Sequence, residues 1–416
     1  MKNFITAFVL IIYACLPIQA QENPLITPND SLTTLLSQLL PKGNPDVSAH
    51  MNLEFYTSAA AYFTERNFDE AAFKINRVRL EILGSFSKEF NWHFRQSFNK
   101  YHNPHALDNL SSSIEYAYVN WKPSEKFNLT VGKQFVAMGG YEYYLNSNKV
   151  REFSEFNDYV AAYQAGVSAA FNLTPSQELV LQVTNFRSGE DEDMYVYGRP
   201  EGIAKAKAPL LSSLNWNGSY ADNTVRFRYA ASWGQQAEGK NILYLTAANI
   251  YEKGPTLLYL DVMYTRQGLD AHCIISDMQG AVVENPVTAQ NTEYLTIIGN
   301  FDYRIHPRWN AYIKGAYETA GVYKTNGLFE KGLYRTTWNL QGCVEFFPME
   351  NSELMLFAHV LHKGHKLTDR ARALGAIAPD TQRISVGLVY TIPVFYIIIT
   401  LSFVIQSEAK DLDCIK

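Results

Sequence analysis

The stretch Tyr334-Arg335-Thr336-Thr337-Trp338-Asn339-Leu340-Gln341-Gly342-Cys343-Val344-Glu345-Phe346-Phe347 alternates along its length. Successive side chains of a strand point to opposite faces. Thr336, Trp338, Leu340, Gly342, Val344 and Phe346 then share one face, and Arg335, Thr337, Asn339, Gln341, Cys343 and Glu345 the other. A helical period of 3.6 would mix these two sets, so the stretch reads as a β-strand with one oily and one wet face.

The same text recurs outward in both directions. Val78, Leu80 and Ile82 oppose Arg77, Arg79 and Glu81; Val225, Phe227, Tyr229, Ala231 and Trp233 oppose Arg226, Arg228, Ala230 and Ser232. Trp309, Ala311, Ile313, Gly315 and Tyr317 oppose Asn310, Tyr312, Lys314, Ala316 and Glu318. In the last such segment Ile384, Val386, Leu388 and Tyr390 oppose Arg383, Ser385, Gly387 and Val389, and the segment ends at Phe395. Between Val47 and Phe395 there are about sixteen alternating segments divided by turn-rich gaps.

Those gaps are alternately long and short. The long ones are 60–70, 100–111, 137–157, 188–206, 265–289, 321–333 and 364–381, with 235–240 the shortest on that side. The short ones include Ser85-Phe86-Ser87, Pro123-Ser124-Glu125 and His306-Pro307. Tight turns at one end and long loops at the other mark an antiparallel, up-and-down transmembrane β-barrel. An even strand count returns both chain ends to the same side. Within 265–289, Cys273-Ile274-Ile275 reads as ordered structure inside a long loop rather than a further strand.

A closed tube of about sixteen strands is too wide for side chains to fill. The polar faces therefore line a wet lumen and the apolar faces meet lipid. A charge on the lipid side costs roughly 2–4 kcal/mol at mid-membrane. Arg77, Arg79, Arg95, Arg226, Arg228, Lys314, Arg335 and Arg383 are thus expected to face inward.

The flanks suit this reading. Lys2, the apolar run Phe4–Leu16 and a small residue at Ala20 form a secretory signal peptide over 1–20. Segment 21–46 is expected in the periplasm, with a short helix from Ser31 to Leu40 behind the capping residues Asn29-Asp30-Ser31. Residues 47–395 are the expected barrel, and 396–416 an atypical C-terminal tail outside it, since the run Ile397–Ile405 is too short to span as a helix.

The chain carries 27 Tyr and 24 Phe, yet its mean hydropathy is only −0.18. That combination suits strands that are apolar on one face, with aromatic belts at the membrane interfaces. A net charge of −5 gives no broad basic surface for nucleic acid. Cys15, Cys273, Cys343 and Cys414 form neither a disulfide framework nor a C-x-x-C site, and no cofactor is expected.

Several segments resemble the phosphate-selective porin O and P family of Gram-negative outer membranes. They are Leu129–Gly140, Asp158–Ser168, Phe73–Leu80, Gln182–Asn185 and Val386–Tyr390. The resemblance implies a sixteen-stranded porin, commonly trimeric, that passes small hydrophilic solutes passively, with anions such as phosphate favoured. It also implies an inward-folded loop after the fifth strand, here 137–157, bringing Lys149 and Arg151 to a constriction alongside Glu142, Glu152 and Glu155. The terminal aromatic Phe395 resembles the signal read by the barrel-assembly machinery. Outer-membrane lipid and small polar or anionic solutes are the other expected partners.

Two readings of the lumen cations stand side by side. They either form a ladder that draws anions by focusing the field in a narrow pore, or pair with Glu81, Glu318 and Glu345 and keep the wall wet. His359 and His362 fall on opposite strand faces, so no metal site is expected there. A barrel hydrolase could use His93 or His359 as base, but no G-x-S-x-G motif is present and no catalytic residue is assigned. A lipid-carrying barrel would need an apolar lumen.

Overall fold

The computed structural model describes residues 47–99, 107–145, 147–189, 194–279, 283–349 and 352–399. The signal peptide, the 31–40 helix and residues 400–416 lie outside the described residues. The first eight strands are β1 (Val47–Thr64), β2 (Asn67–Ser85), β3 (Phe90–Ser97), β4 (Ile114–Ser124), β5 (Phe127–Phe135), β6 (Tyr163–Thr174), β7 (Gln177–Asn185) and β8 (Leu210–Tyr220). Then follow β9 (Val225–Ala237), β10 (Lys240–Lys253), β11 (Thr256–Leu269), β12 (Gln290–His306), β13 (Trp309–Val322), β14 (Gly332–Phe346), β15 (Met355–Leu367) and β16 (Thr381–Ile399). Each pairs antiparallel with its chain neighbours, and β1 pairs with β16, closing one barrel. Closure gives every central strand two partners and leaves no sheet edge to lipid. Among the described residues no helix is long and apolar enough to cross a membrane; the strands cross it.

The alternation falls as the sequence predicts. In β14, Thr337, Asn339, Gln341, Cys343 and Glu345 are buried inside, while Trp338 and Leu340 are exposed outside. In β13, Asn310, Tyr312, Lys314 and Glu318 face in, and Ile313 and Tyr317 face out. Rings gather at the short-turn end: Phe86 on Trp92, Phe90 on Trp121, Phe127 on Phe171, Trp216 on Phe227 and Trp309 on Phe346. This is the interfacial girdle expected of such barrels.

Several boundaries differ from the sequence reading. The expected loop 60–70 is a two-residue turn, Glu65-Arg66, with φ of 49° and 69°. Both central residues are left-handed, the conformation that matches hairpin twist. Phe63 packs edge-on against Phe68, and Thr64 bonds Asp69, so the hairpin continues past the point where its text turns charged. The gap 235–240 shrinks to Glu238-Gly239. Residues 155–159, partly expected in a strand, form a short helix, and β6 starts only at Tyr163. Cys273-Ile274-Ile275 is no strand, and Ile274 and Ile275 are buried beneath their loop.

The barrel does not stop at Phe395. The backbone of β16 runs on to Ile399, pairing Tyr396–Ile399 with Val47–His50. A bulge lies between Met51 and Asn52, and Pro393 sits opposite it. Proline has no N–H for a ladder, so a bulge is where a paired strand tolerates it.

Candidate functional site

The lumen is crossed by the segment between β5 and β6, residues 136–162, with the short helices α1 (Tyr141–Tyr144) and α2 (Glu155–Tyr159). Its apolar side chains Met138, Tyr141, Tyr143 and Phe156 join a cluster with Ile242, Tyr244 and Ile250 of β10, Tyr259 and Met263 of β11 and Ile298 of β12. These wall residues point inward, so this sector of the lumen is apolar and covered by the loop. The strand text foreshadows it. In β10, Ile242, Tyr244 and Ile250 oppose Leu243, Leu245 and Tyr251, apolar on both faces, which is the pattern of a strand buried on both sides.

Polar contacts fix the rest of the loop. Glu142 is fully buried; its Oε1 lies 2.6 Å from Lys314 Nζ, and its Oε2 accepts from Ser154 N, Ser154 Oγ and the Asn157 amide. Burial alone would raise this carboxyl, but Lys314 and the hydrogen bonds outweigh it and hold Glu142 below the usual carboxylate range. The backbone N–H of Glu142 donates to Asp261 Oδ2 at 2.8 Å, and Thr246 Oγ1 donates to the Met138 carbonyl at 2.6 Å. Arg151 pairs with Glu345 at 3.1 Å and lies over the Phe357 ring. Glu152 pairs with Arg383 at 2.9 Å, and Glu155 with Arg335 at 2.6 Å.

The expected lumen cations therefore point inward, but few are left unpaired. Arg79 lies against Glu54 and Glu115, and Arg95 against Glu81 and Glu115. Arg226 pairs with Glu252 at 2.5 Å. Lys314, Arg335 and Arg383 are held by the three loop carboxylates above. Of the eight expected lumen cations, two guanidiniums have no carboxylate salt bridge among the described residues. Arg77 donates to Asn148 Oδ1 at 2.7 Å, and Arg228 lies 3.5 Å over the Tyr144 ring. Lys149 is half-buried and acts electrostatically on Asp302 of β12. Of the three acids expected to pair with these cations, two do so and one does not. Glu81 takes Arg95, Glu345 takes Arg151, and Glu318 accepts from the Glu155 N–H and Thr296 instead of a cation.

Sequence reasoning missed Glu54, Glu115 and Lys133, which complete the wall network. Glu54 is the direct cross-strand partner of Arg79, as Glu81 is of Arg95. Opposed charges at directly paired positions attract, but the partners emerge only once register is known. Lys133 lies 2.9 Å from Asp108 of the β3–β4 connection.

Between β2–β6 and the loop remains a cavity of about 500 Å³. His93, on its wall, is bonded to Glu81 and Tyr118, while His359 is bonded to Gln341. Among the described residues neither has a Ser, Thr or Cys partner, as a hydrolase base would require. His362 bonds Gln382 on the other face of β15, and no group of metal-binding side chains occurs among the described residues.

Comparison with known proteins agrees with this geometry. The sequence profile of the phosphate-selective porin O and P family matches residues 51–392. Comparison with curated proteins gives no match. Among solved structures, the outer membrane channel DcaP of Acinetobacter baumannii superposes with a TM-score of 0.59 at 9% identity, covering 83% of this chain and 97% of that one. The outer membrane protein OmpT of Vibrio cholerae gives 0.52 at 10% identity, covering 85% and 100%. Salmonella typhi OmpF in complex with daunomycin gives 0.51 at 11%, covering 83% and 97%. At such identities these likenesses concern the fold.

Proposed function

Since the chain belongs to the phosphate-selective porin O and P family and is an outer-membrane diffusion channel for small hydrophilic solutes, we propose that its anion preference is weak and rests chiefly on Arg77 and Arg228. The observation that carries this is the pairing of the other six expected lumen cations with carboxylates. A guanidinium beside a carboxylate projects little net field along the pore, whereas an unpaired ring of cations would draw anions strongly. Arg77 lines the open cavity, where a passing anion meets it directly. A phosphate preference fits the family; in this chain its strength is set by how few cations are free of acids.

Reversal potentials across a salt gradient test this. The expected result is a small shift toward the anion potential, reduced in Arg77→Gln. A pore that excludes cations almost completely, or one whose selectivity ignores Arg77, overturns the reading. Passage is passive and makes no bond, so purified protein is expected to turn over no ester substrate. We also propose a homotrimer, a reading supported by the fold likeness to an OmpT structure described as a trimer form; mass measurement in mild detergent tests it.

A further inference from the structure

The cavity between β2–β6 and the constriction loop falls in the volume range of ligand sites, roughly 300–1,000 Å³. Its charges cancel. Arg77, Arg79, Arg95 and Lys133 line it, and so do Glu54, Glu81, Glu115 and Asp158. An oxyanion is negatively charged, so every carboxylate on this wall repels it and offsets the pull of the guanidiniums. A hydroxyl both donates and accepts. A solute bearing many hydroxyls can therefore bond the guanidiniums and the carboxylates alike.

Rings stand between the charges. Tyr118, Phe135, Phe153 and Tyr163 line the cavity half-buried. Tyr163 packs on Tyr116 and Phe135, and Arg95 lies over it. Phe153, on the loop, has no ring or cation partner among the described residues. A sugar ring has an apolar C–H face and a rim of hydroxyls, which matches an aromatic face set among paired ions. We propose that this cavity is a binding station for a neutral mono- or disaccharide on its way through the pore. The inference rests on the lumen being an open solute path.

The test is current blockade in single channels of the full protein, titrated with glucose, maltose and sucrose, and separately with inorganic phosphate. At least one sugar is expected to block saturably, with phosphate failing to compete. Phe153→Ala is expected to weaken that block by about three- to tenfold, the loss of one ring contact. Phe153→Tyr, which keeps the ring, should restore it. Channels that conduct but show no saturable sugar block overturn the saccharide assignment and leave the diffusion channel standing. So does a block that phosphate competes away, or one indifferent to Phe153→Ala. Reconstituted protein that passes no current overturns the channel reading instead.

Discussion

Lys314 Nζ, from the middle of β13, lies 2.6 Å from Glu142 Oε1 on the constriction loop, and both side chains are almost wholly shielded from water. Lys314 also donates to the Glu152 carbonyl, so one wall cation ties two points of the loop. Removing one partner of a buried pair costs about 3–5 kcal/mol, because the other charge is left unpaired. Lys314→Met is therefore expected to release the loop, giving noisier, larger single-channel currents and a lower unfolding midpoint. The double variant Lys314→Met/Glu142→Gln, which leaves no orphan charge, should recover part of both. Currents identical to the parent channel in the single variant would show that the pair does not hold the loop.

The same contact sets a pH dependence. Glu142 is held below its ordinary value of 4.5 in the folded protein. A depressed carboxyl contributes stability above its unfolded value, and that contribution is lost as pH falls through the folded value. Loop anchoring should be constant through neutral pH and fail only on acidification below about 4.5, seen as a rise in open-channel noise. Glu142→Gln should flatten this acid limb. A transition at neutral pH in the parent that survives Glu142→Gln would assign the effect to another group.

Gly140 packs against Asp261 so closely that a Cβ there would lie 2.5 Å from Asp261 Cγ. Gly140→Ala must push the loop off the Asp261 carboxylate that accepts the Glu142 N–H. Overpacking of this kind costs about 1–3 kcal/mol. Thermal unfolding should register the loss, and Asp261→Ala added to Gly140→Ala should relieve the clash while sacrificing the hydrogen bond. A Gly140→Ala barrel as stable as the parent would show that the loop shifts freely.

Ile313 is 61% exposed on the lipid face of β13, one residue from inward-facing Lys314. Ile313→Arg should cost about 2–4 kcal/mol if that position lies near mid-membrane. Equilibrium folding into lipid vesicles measures it. A negligible cost would place that face of β13 in water, contrary to the barrel's orientation toward lipid.

The end of β16 offers a test by truncation. Cutting after Ile399 retains every described ladder pair. Cutting after Phe395 strips β1 of its partners from Val47 to His50. The longer product should fold like the full chain and the shorter one should unfold at lower temperature. Equal midpoints would make residues 396–399 dispensable to the closure.

The wall was legible because a strand between lipid and lumen has a period of two, and a misplaced charge on the lipid side is costly. Arg77, Arg226 and Lys314 could be turned inward on that ground alone. The extension of β1 and β2 past residue 59 was not legible. Above the membrane both faces meet water, and the Glu65-Arg66 turn lacks the Asn-Gly text of a tight hairpin. The apolar lumen sector carried a signal in the two-sided text of β10, but nothing local says that residues 136–162 return to cover it.

The sequence alone determined a closed antiparallel barrel with its arginines inside, since the penalty for charge in lipid acts residue by residue and needs no knowledge of neighbours. Only the tertiary structure decided which acid sits against which base: Glu142 reaches Lys314, and Glu155 reaches Arg335, across a separation in sequence that no local pattern encodes. Coulomb energy depends on distance between side chains, and distance between loop and wall is fixed by the folded path of the chain.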